Sequence, residues 1–158
     1  MFREMTRKNQ QLSQEECTTL LASIPRGVLS LHGDDGYPYG VPTNFWYCQE
    51  DGCIYFHSGQ QGHKIDALSR NPKASLGVMD QGSRKENDWA LSFKSVIVFG
   101  LVEKMERNDR TMEIVRRLSQ QFTQDDAYIE KEIELYGKRT LFFRLVPQHM
   151  TGKQVHEA

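Results

Sequence analysis

A small antiparallel β-barrel with peripheral helices is the fold class this sequence predicts, and three observations predict it. About six short runs of apolar, β-branched and aromatic residues are separated by turn residues, the pattern of successive hairpins. Helical stripes are few and lie beside those runs. The chain has 158 residues, 38% hydrophobic and 26% charged, which suits one ordinary domain (1–158) able to bury a core without staples.

The elements follow in order. Ser13 and Glu16 form a capping box that opens a helix carrying Cys17, Leu20, Leu21 and Ile24 as its apolar stripe, and Pro25 stops it. Gly27–Leu31 is a short apolar strand. Gly33-Asp34-Asp35-Gly36 is a turn in which Asp35-Gly36 suits positive φ. Tyr37–Cys48 reads as a strand whose Pro38 and Pro42 cannot donate ladder hydrogen bonds, marking an edge, a bulge or a strand end. Gly52–His57 is the next strand. Ser58–Gly62 reads as a loop leading to a short helix, His63–Arg70, halted by Pro72. Ala74–Met79 is a strand, 80–88 a polar loop, and Ser92–Met105 a long strand with both faces apolar, as inside a barrel or at a subunit interface. A helix with the stripe Met112, Val115, Leu118 and Phe122 follows, then a weaker one closed by Gly137 as a C′ residue. Leu141–Val146 is a final strand before a polar tail.

Composition removes several functions. A formal net charge of -1, with both signs interleaved, argues against general binding of nucleic acid or an anionic membrane surface. The sequence contains no apolar run of the roughly 18–20 residues that a membrane span needs, and its polar start does not resemble a signal peptide. A cytoplasmic protein is the expectation. Cys17, Cys48 and Cys53 are then expected to stay reduced, although Cys48 and Cys53 flank a hairpin turn where a disulfide is conceivable. Cys48, Cys53, His57 and His63 imitate a metal-ligand series but lack the tight paired spacing of a zinc site, so no metal is expected.

The stretch that carries chemistry is Ile54–Lys64. A strand ends in a hydroxyl residue, Ser58, and a glycine-containing loop leads to a helix that opens on His63 and Lys64. A helix N-terminus offers free N–H groups and a positive dipole end. With Ser58 as donor, Lys64 as charge and His63 as charge or neutral donor, this reads as an anion site, or as an ordinary solvated helix start. No Walker-type lysine motif and no G-x-G-x-x-G is present.

Four stretches resemble the flavin-binding split-barrel proteins, the pyridoxamine 5′-phosphate oxidase-like superfamily, and within it the nitroimidazole-resistance (Nim) group. They are Met1–Met5; Gly33–Tyr39 with Val41-Pro42; Tyr55–Lys64 with Asp66–Leu68; and Ser95–Gly100. The resemblance implies a six-stranded antiparallel split β-barrel, a homodimer that binds FMN (or FAD) in clefts at the subunit interface. It implies that Ser58, His63 and Lys64 hold the phosphate, that Pro42, Thr43 and Asn44 line the isoalloxazine ring, and that Ser95 falls near the cofactor. Many members carry arginine where this chain has His63, so phosphate binding should be more pH-sensitive here. Residues that bind pyridoxal phosphate in a true pyridoxamine-phosphate oxidase are not evident.

His57 shares an alternating face with Cys53 and Tyr55. If that face meets the flavin, His57 can donate a hydrogen bond or proton to ring or substrate; otherwise it is a satisfied strand histidine. Phe45 and Trp46 offer ring stacking or core packing, Trp89 a lid or a loop anchor, and Arg144 a cleft contact or an outward charge. Two functional readings remain, beside a blander one of a cofactor-free dimer with only structural roles. One is an FMN-dependent reductase of small electron-poor acceptors such as nitroimidazoles, with a nicotinamide nucleotide as donor. The other is a non-catalytic flavin- or haem-binding split barrel for storage, sensing or sequestration.

Overall fold

A computed structural model describes residues 1–157. Seven antiparallel strands form one sheet in the order β2-β1-β5-β6-β7-β4-β3. They are β1 Arg26–His32, β2 Pro38–Asn44, β3 Trp46–Tyr47, β4 Ile54–Gly59, β5 Lys73–Met79, β6 Ser92–Lys104 and β7 Thr140–His156. The sheet curls into a split half-barrel, with edge strands β2 and β3 leaving it open. Four helices decorate it: α1 Gln14–Ser23, α2 His63–Arg70, α3 Asp109–Gln120 and α4 Asp126–Tyr136. None is long and apolar enough to cross a membrane.

The core fills the curl. Leu21, Leu29, Phe45, Ile54, Leu76, Val96, Val98 and Leu145 are all fully buried and belong to one cluster. Inward residues alternate with outward ones along each strand, so Val96, Val98 and Val102 of β6 enter this cluster. Helix α1 closes one end. Its capping box is present, with the Glu16 N–H donating to Ser13 Oγ at 3.1 Å and the Ser13 N–H donating to Glu16 Oε2 at 2.9 Å. Cys17 lies so close to Gly152 of β7 that any Cβ at 152 would collide with its sulfur, which is why glycine stands there. Burial pushes the Cys17 thiol up, keeping it protonated and inert.

Several expectations change. The strand count is seven because Phe45, fully buried, breaks the Tyr37–Cys48 run into β2 and the two-residue β3. The polar tail after Val146 continues β7 to His156, because β6 pairs with it along its whole length; Pro147 is accommodated at the bulge between Phe99 and Gly100. Tertiary pairing overrides a composition that reads as coil. The outer face of β6 is uncovered in the single chain, with Ile97 45% and Phe99 39% exposed beside Val28 at 45%. In α3 the buried face is Thr111, Ile114 and Leu118, one step round from the expected stripe, and Phe122 is exposed. Gly137 has φ -55, so α4 ends in a 3-10 turn instead of a left-handed cap.

Other expectations are met. Pro38 and Pro42 lie on edge strand β2. Asp35 and Gly36 take φ 54 and 78 in the turn before it. Cys48 and Cys53 face each other across the β3–β4 hairpin as free, buried thiols, the Cys48 N–H donating to the Cys53 carbonyl at 3.0 Å.

Candidate functional site

Strand β4 and the start of α2 build the site. β4 runs on to Gly59, so Ser58 belongs to the strand and the intervening loop is only three residues, Gln60–Gly62. Helix α2 begins at His63 after Gly62, whose φ of 123 lies in a region L side chains rarely adopt. No side chain caps this N-terminus, so its first N–H groups have no side-chain acceptor, and a Cβ at Gly62 would meet nothing within 4 Å.

The donors around that space lack protein partners. Among the described residues, Ser58 and Lys64 make no side-chain hydrogen bond, and Lys64 makes no ion pair. Lys64 lies half-buried with its ammonium 6.0 Å from the centre of the Phe56 ring. Burial pulls its pKa below that of an ordinary lysine. The neighbouring His57 is lowered too, by burial first and by the Lys64 charge second. A cation desolvated without a carboxylate, beside a free hydroxyl and an uncapped helix start, is a donor set that fits a phosphate.

His63 is held differently. Its ring stacks on Tyr39 at 3.9 Å between centroids, and its Nε2 lies 3.7 Å from Asp34 Oδ2. Arg70, at the other end of α2, donates to Asp34 Oδ1 at 2.6 Å. Asp34 thus ties both ends of α2 to the β1–β2 turn. His63 remains at the helix N-terminus, but its imidazole leans toward that turn.

On the other face of β4, Cys53, Tyr55 and His57 point outward, as their alternation implied, and α3 and α4 lie over them. Ile114 packs on Cys48, Cys53 and Tyr55. Beyond it a cavity of about 450 Å³ opens, with His57 and Asn44 among its lining residues. Asn44 ends β2, next to Pro42 and Thr43; Thr43 is buried and donates to the Val41 carbonyl at 3.1 Å. The end of β2 and the end of β4 are therefore brought together across the split. Ser95 is not brought there within one chain: it pairs with Lys153 near one end of β7, whereas His57 pairs with Phe142 near the other.

Comparison with known proteins decides the family. The family model described as pyridoxamine 5′-phosphate oxidase matches residues 13–154. The chain belongs to the pyridoxamine 5′-phosphate oxidase family. An uncharacterized protein of Rhizobium meliloti (strain 1021) is 32% identical over 94 residues, which is 60% of this chain; the match spans 56%, about half, of that relative. Among solved structures, a proposed 5-nitroimidazole antibiotic resistance protein of Bacteroides thetaiotaomicron superposes with a TM-score of 0.74 at 19% identity, covering 92% of this chain and 87% of the other. An FAD-binding protein of Mesorhizobium loti gives 0.66 at 26% identity, covering 92% and 97%. The split-barrel fold is common to them.

Other residues singled out by sequence also find places. Phe45 is core, and Trp46 packs beside Tyr55, their centroids 5.9 Å apart. Arg144 points outward and donates to Glu103 on β6 at 2.8 Å. Trp89 is 71% exposed on its loop. Sequence reasoning missed the α3–α4 roof over His57, because the outward face of β4 gives no local sign of what covers it. It also missed Asp34, whose pairing with two residues of α2 is tertiary.

Proposed function

We propose that this chain is an FMN-binding oxidoreductase that reduces small electron-poor acceptors such as nitroimidazoles. The observation that carries the reading is the cluster of unpartnered donors where β4 meets α2, with His57 facing an organic-sized cavity on the same strand. A phosphate is the anion the cluster suits, and FMN presents one at the end of a flexible chain; FAD is the larger alternative.

In this reading Lys64 holds the phosphate by charge, Ser58 donates a hydrogen bond, and the first N–H groups of α2 complete the cradle. His63 adds a ring donor, restrained by Asp34 and Tyr39. Pro42, Thr43 and Asn44 line the ring from the end of β2. When bound, FMN supplies the electron chemistry, and the protein supplies position and electrostatics. His57 is the proton-handling residue. With its pKa below the ordinary 6.5 it is neutral near neutral pH, so it presents one N–H donor and recovers a proton through its exposed edge. A nicotinamide nucleotide and the acceptor act in turn.

The working unit is a homodimer. Support comes from the uncovered face of β1 and β6, where Val28, Ile97 and Phe99 stand in water, an apolar surface that a second copy would bury. Such a copy would also bring Ser95 toward the cleft of its partner.

The test is the absorption spectrum of freshly purified protein, followed by turnover with a nicotinamide nucleotide and a nitroimidazole. Flavin bands near about 370 and 450 nm, set by the cofactor, with acceptor-dependent oxidation of the nucleotide, are expected. Flavin-loaded protein that reduces no nitroaromatic with any nicotinamide nucleotide would overturn the enzyme reading.

A further inference from the structure

The cavity between β4, β7 and the α3–α4 pair lies beside the donor cluster without belonging to it. Its floor is Tyr55, Phe142 and Phe143, and its roof includes Val115 of α3 and Ile133 of α4. At about 450 Å³ it falls within the roughly 300–1,000 Å³ range of pockets that hold one small organic ligand. Its charge is one-sided. Among the described residues no lysine or arginine lines it, and its acidic group is Glu132 of α4. Glu132 makes no ion pair among the described residues. Arg116 of α3 is turned aside into a bidentate pair with Glu130 that ties α3 to α4.

From this we infer that the α3–α4 cavity is the acceptor-binding site, and that it selects a flat aromatic molecule carrying no negative charge. Aromatic walls reward ring stacking and edge contacts. A carboxylate or phosphate placed there would lose its hydration, meet Glu132, and find no cation among the lining residues, since Arg26 and Arg107 are engaged on the Phe122 and Phe142 rings without lining the cavity themselves. His57 and Asn44 are among its polar lining residues, and His57 adjoins Ser58 in the chain, so they are groups to which a molecule in the cavity can present its polar end. The same division explains how two ligands of opposite character share one strand: the phosphate goes to the Lys64 side of β4 and the uncharged ring to the His57 side. The identity of the bound molecule as the one reduced rests on the flavin reading; the charge preference of the cavity does not.

The test is equilibrium dialysis of the full-length protein, with and without FMN, against 4-nitrotoluene and 4-nitrobenzoate, which match in size and ring and differ in charge. The wild type should bind the neutral probe about tenfold more tightly than the anion. Ser119→Phe, which fills the cavity from α3, should weaken the neutral probe about tenfold and leave FMN binding within about twofold. Glu132→Lys, at a half-exposed position that can take the change without repacking, should shift the neutral-to-anion preference about tenfold toward the anion. Equal binding of the two probes by the wild type would overturn the inference. So would probe affinities that ignore Glu132→Lys, even if Ser119→Phe failed to fold. If no flavin binds while the probes follow this pattern, the proposed function falls and the cavity assignment stands. If flavin binds and the probes ignore both variants, the reverse holds.

Discussion

The two ends of β4 are built from similar residue types and behave in opposite ways. At the hairpin end, Asp51 accepts from the Cys53 N–H at 2.8 Å and from the Tyr55 hydroxyl, and Cys53 packs with Tyr55 under α3. Burial works to raise the Asp51 carboxyl, but the hydrogen bonds from Tyr55 and Cys53, with the Arg110 charge, more than offset it and lower its pKa. The Tyr55 phenol is pushed well up, by burial first and Asp51 second. At the α2 end, Ser58 and Lys64 are partly buried and His57 is exposed, and among the described residues their side chains make no such bonds. One end has spent its polar groups on the fold; the other has kept them free. The comparison teaches that a partly buried polar group without a partner, on a strand whose other polar groups are paired, is reserved for something outside the chain.

Substitutions at the two ends test that contrast. The largest effect is expected at Lys64: Lys64→Met should weaken FMN binding about ten- to a hundredfold, the usual worth of a charge-assisted phosphate contact, while leaving thermal stability unchanged or higher. Fluorescence titration of FMN and a melting curve check both halves. Asp51→Ala should do the opposite, costing about 1–3 kcal/mol of unfolding free energy by stranding the Cys53 N–H and the Tyr55 hydroxyl, with FMN affinity little changed. Urea denaturation beside the same titration reads this; a Lys64-like loss of binding would erase the contrast.

Gly62→Ala should cost about 1–2 kcal/mol, since φ 123 is strained for any residue with a Cβ although the space around it is open. The smallest effect is the pH dependence set by His57. Its folded pKa lies below its ordinary 6.5, so as pH falls the unfolded chain takes up the proton first and stability is lost. The contribution is fully present above about pH 6.5 and declines as pH drops through the folded value. His57→Gln should flatten the fall in stability between about pH 7 and pH 5, as measured by urea unfolding at a series of pH values. An unchanged slope would place the titrating group elsewhere.

Much of this was readable in the sequence because it is local. The Ser13–Glu16 capping box, the α2 boundaries, the positive φ at Asp35 and Gly36 and the alternation that puts His57 with Tyr55 all follow from residues a few positions apart. What was not readable depends on partners far away in the chain. The tail from Pro147 to His156 looks like coil until β6 is available to pair with it. The breaking of the β2–β3 run at Phe45 is set by the core that swallows its ring. His63 looks like a free helix-start cation until Asp34 and Tyr39 are seen against it. The roof over His57 is legible only once α3 and α4 are placed, because the apolar stripe read from the α3 sequence is offset from the face whose Ile114 packs on Tyr55 and Cys53.

The central claim is that the free end of β4 and the start of α2 exist to hold a phosphate. The most direct measurement compares FMN with riboflavin, which carries the same ring and lacks the phosphate, by titration into wild-type protein and Lys64→Met. FMN should bind at least about tenfold more tightly than riboflavin to the wild type, and Lys64→Met should reduce that ratio to near one. Equal affinity for the two flavins in the wild type, or a preference for FMN that survives Lys64→Met, would contradict it.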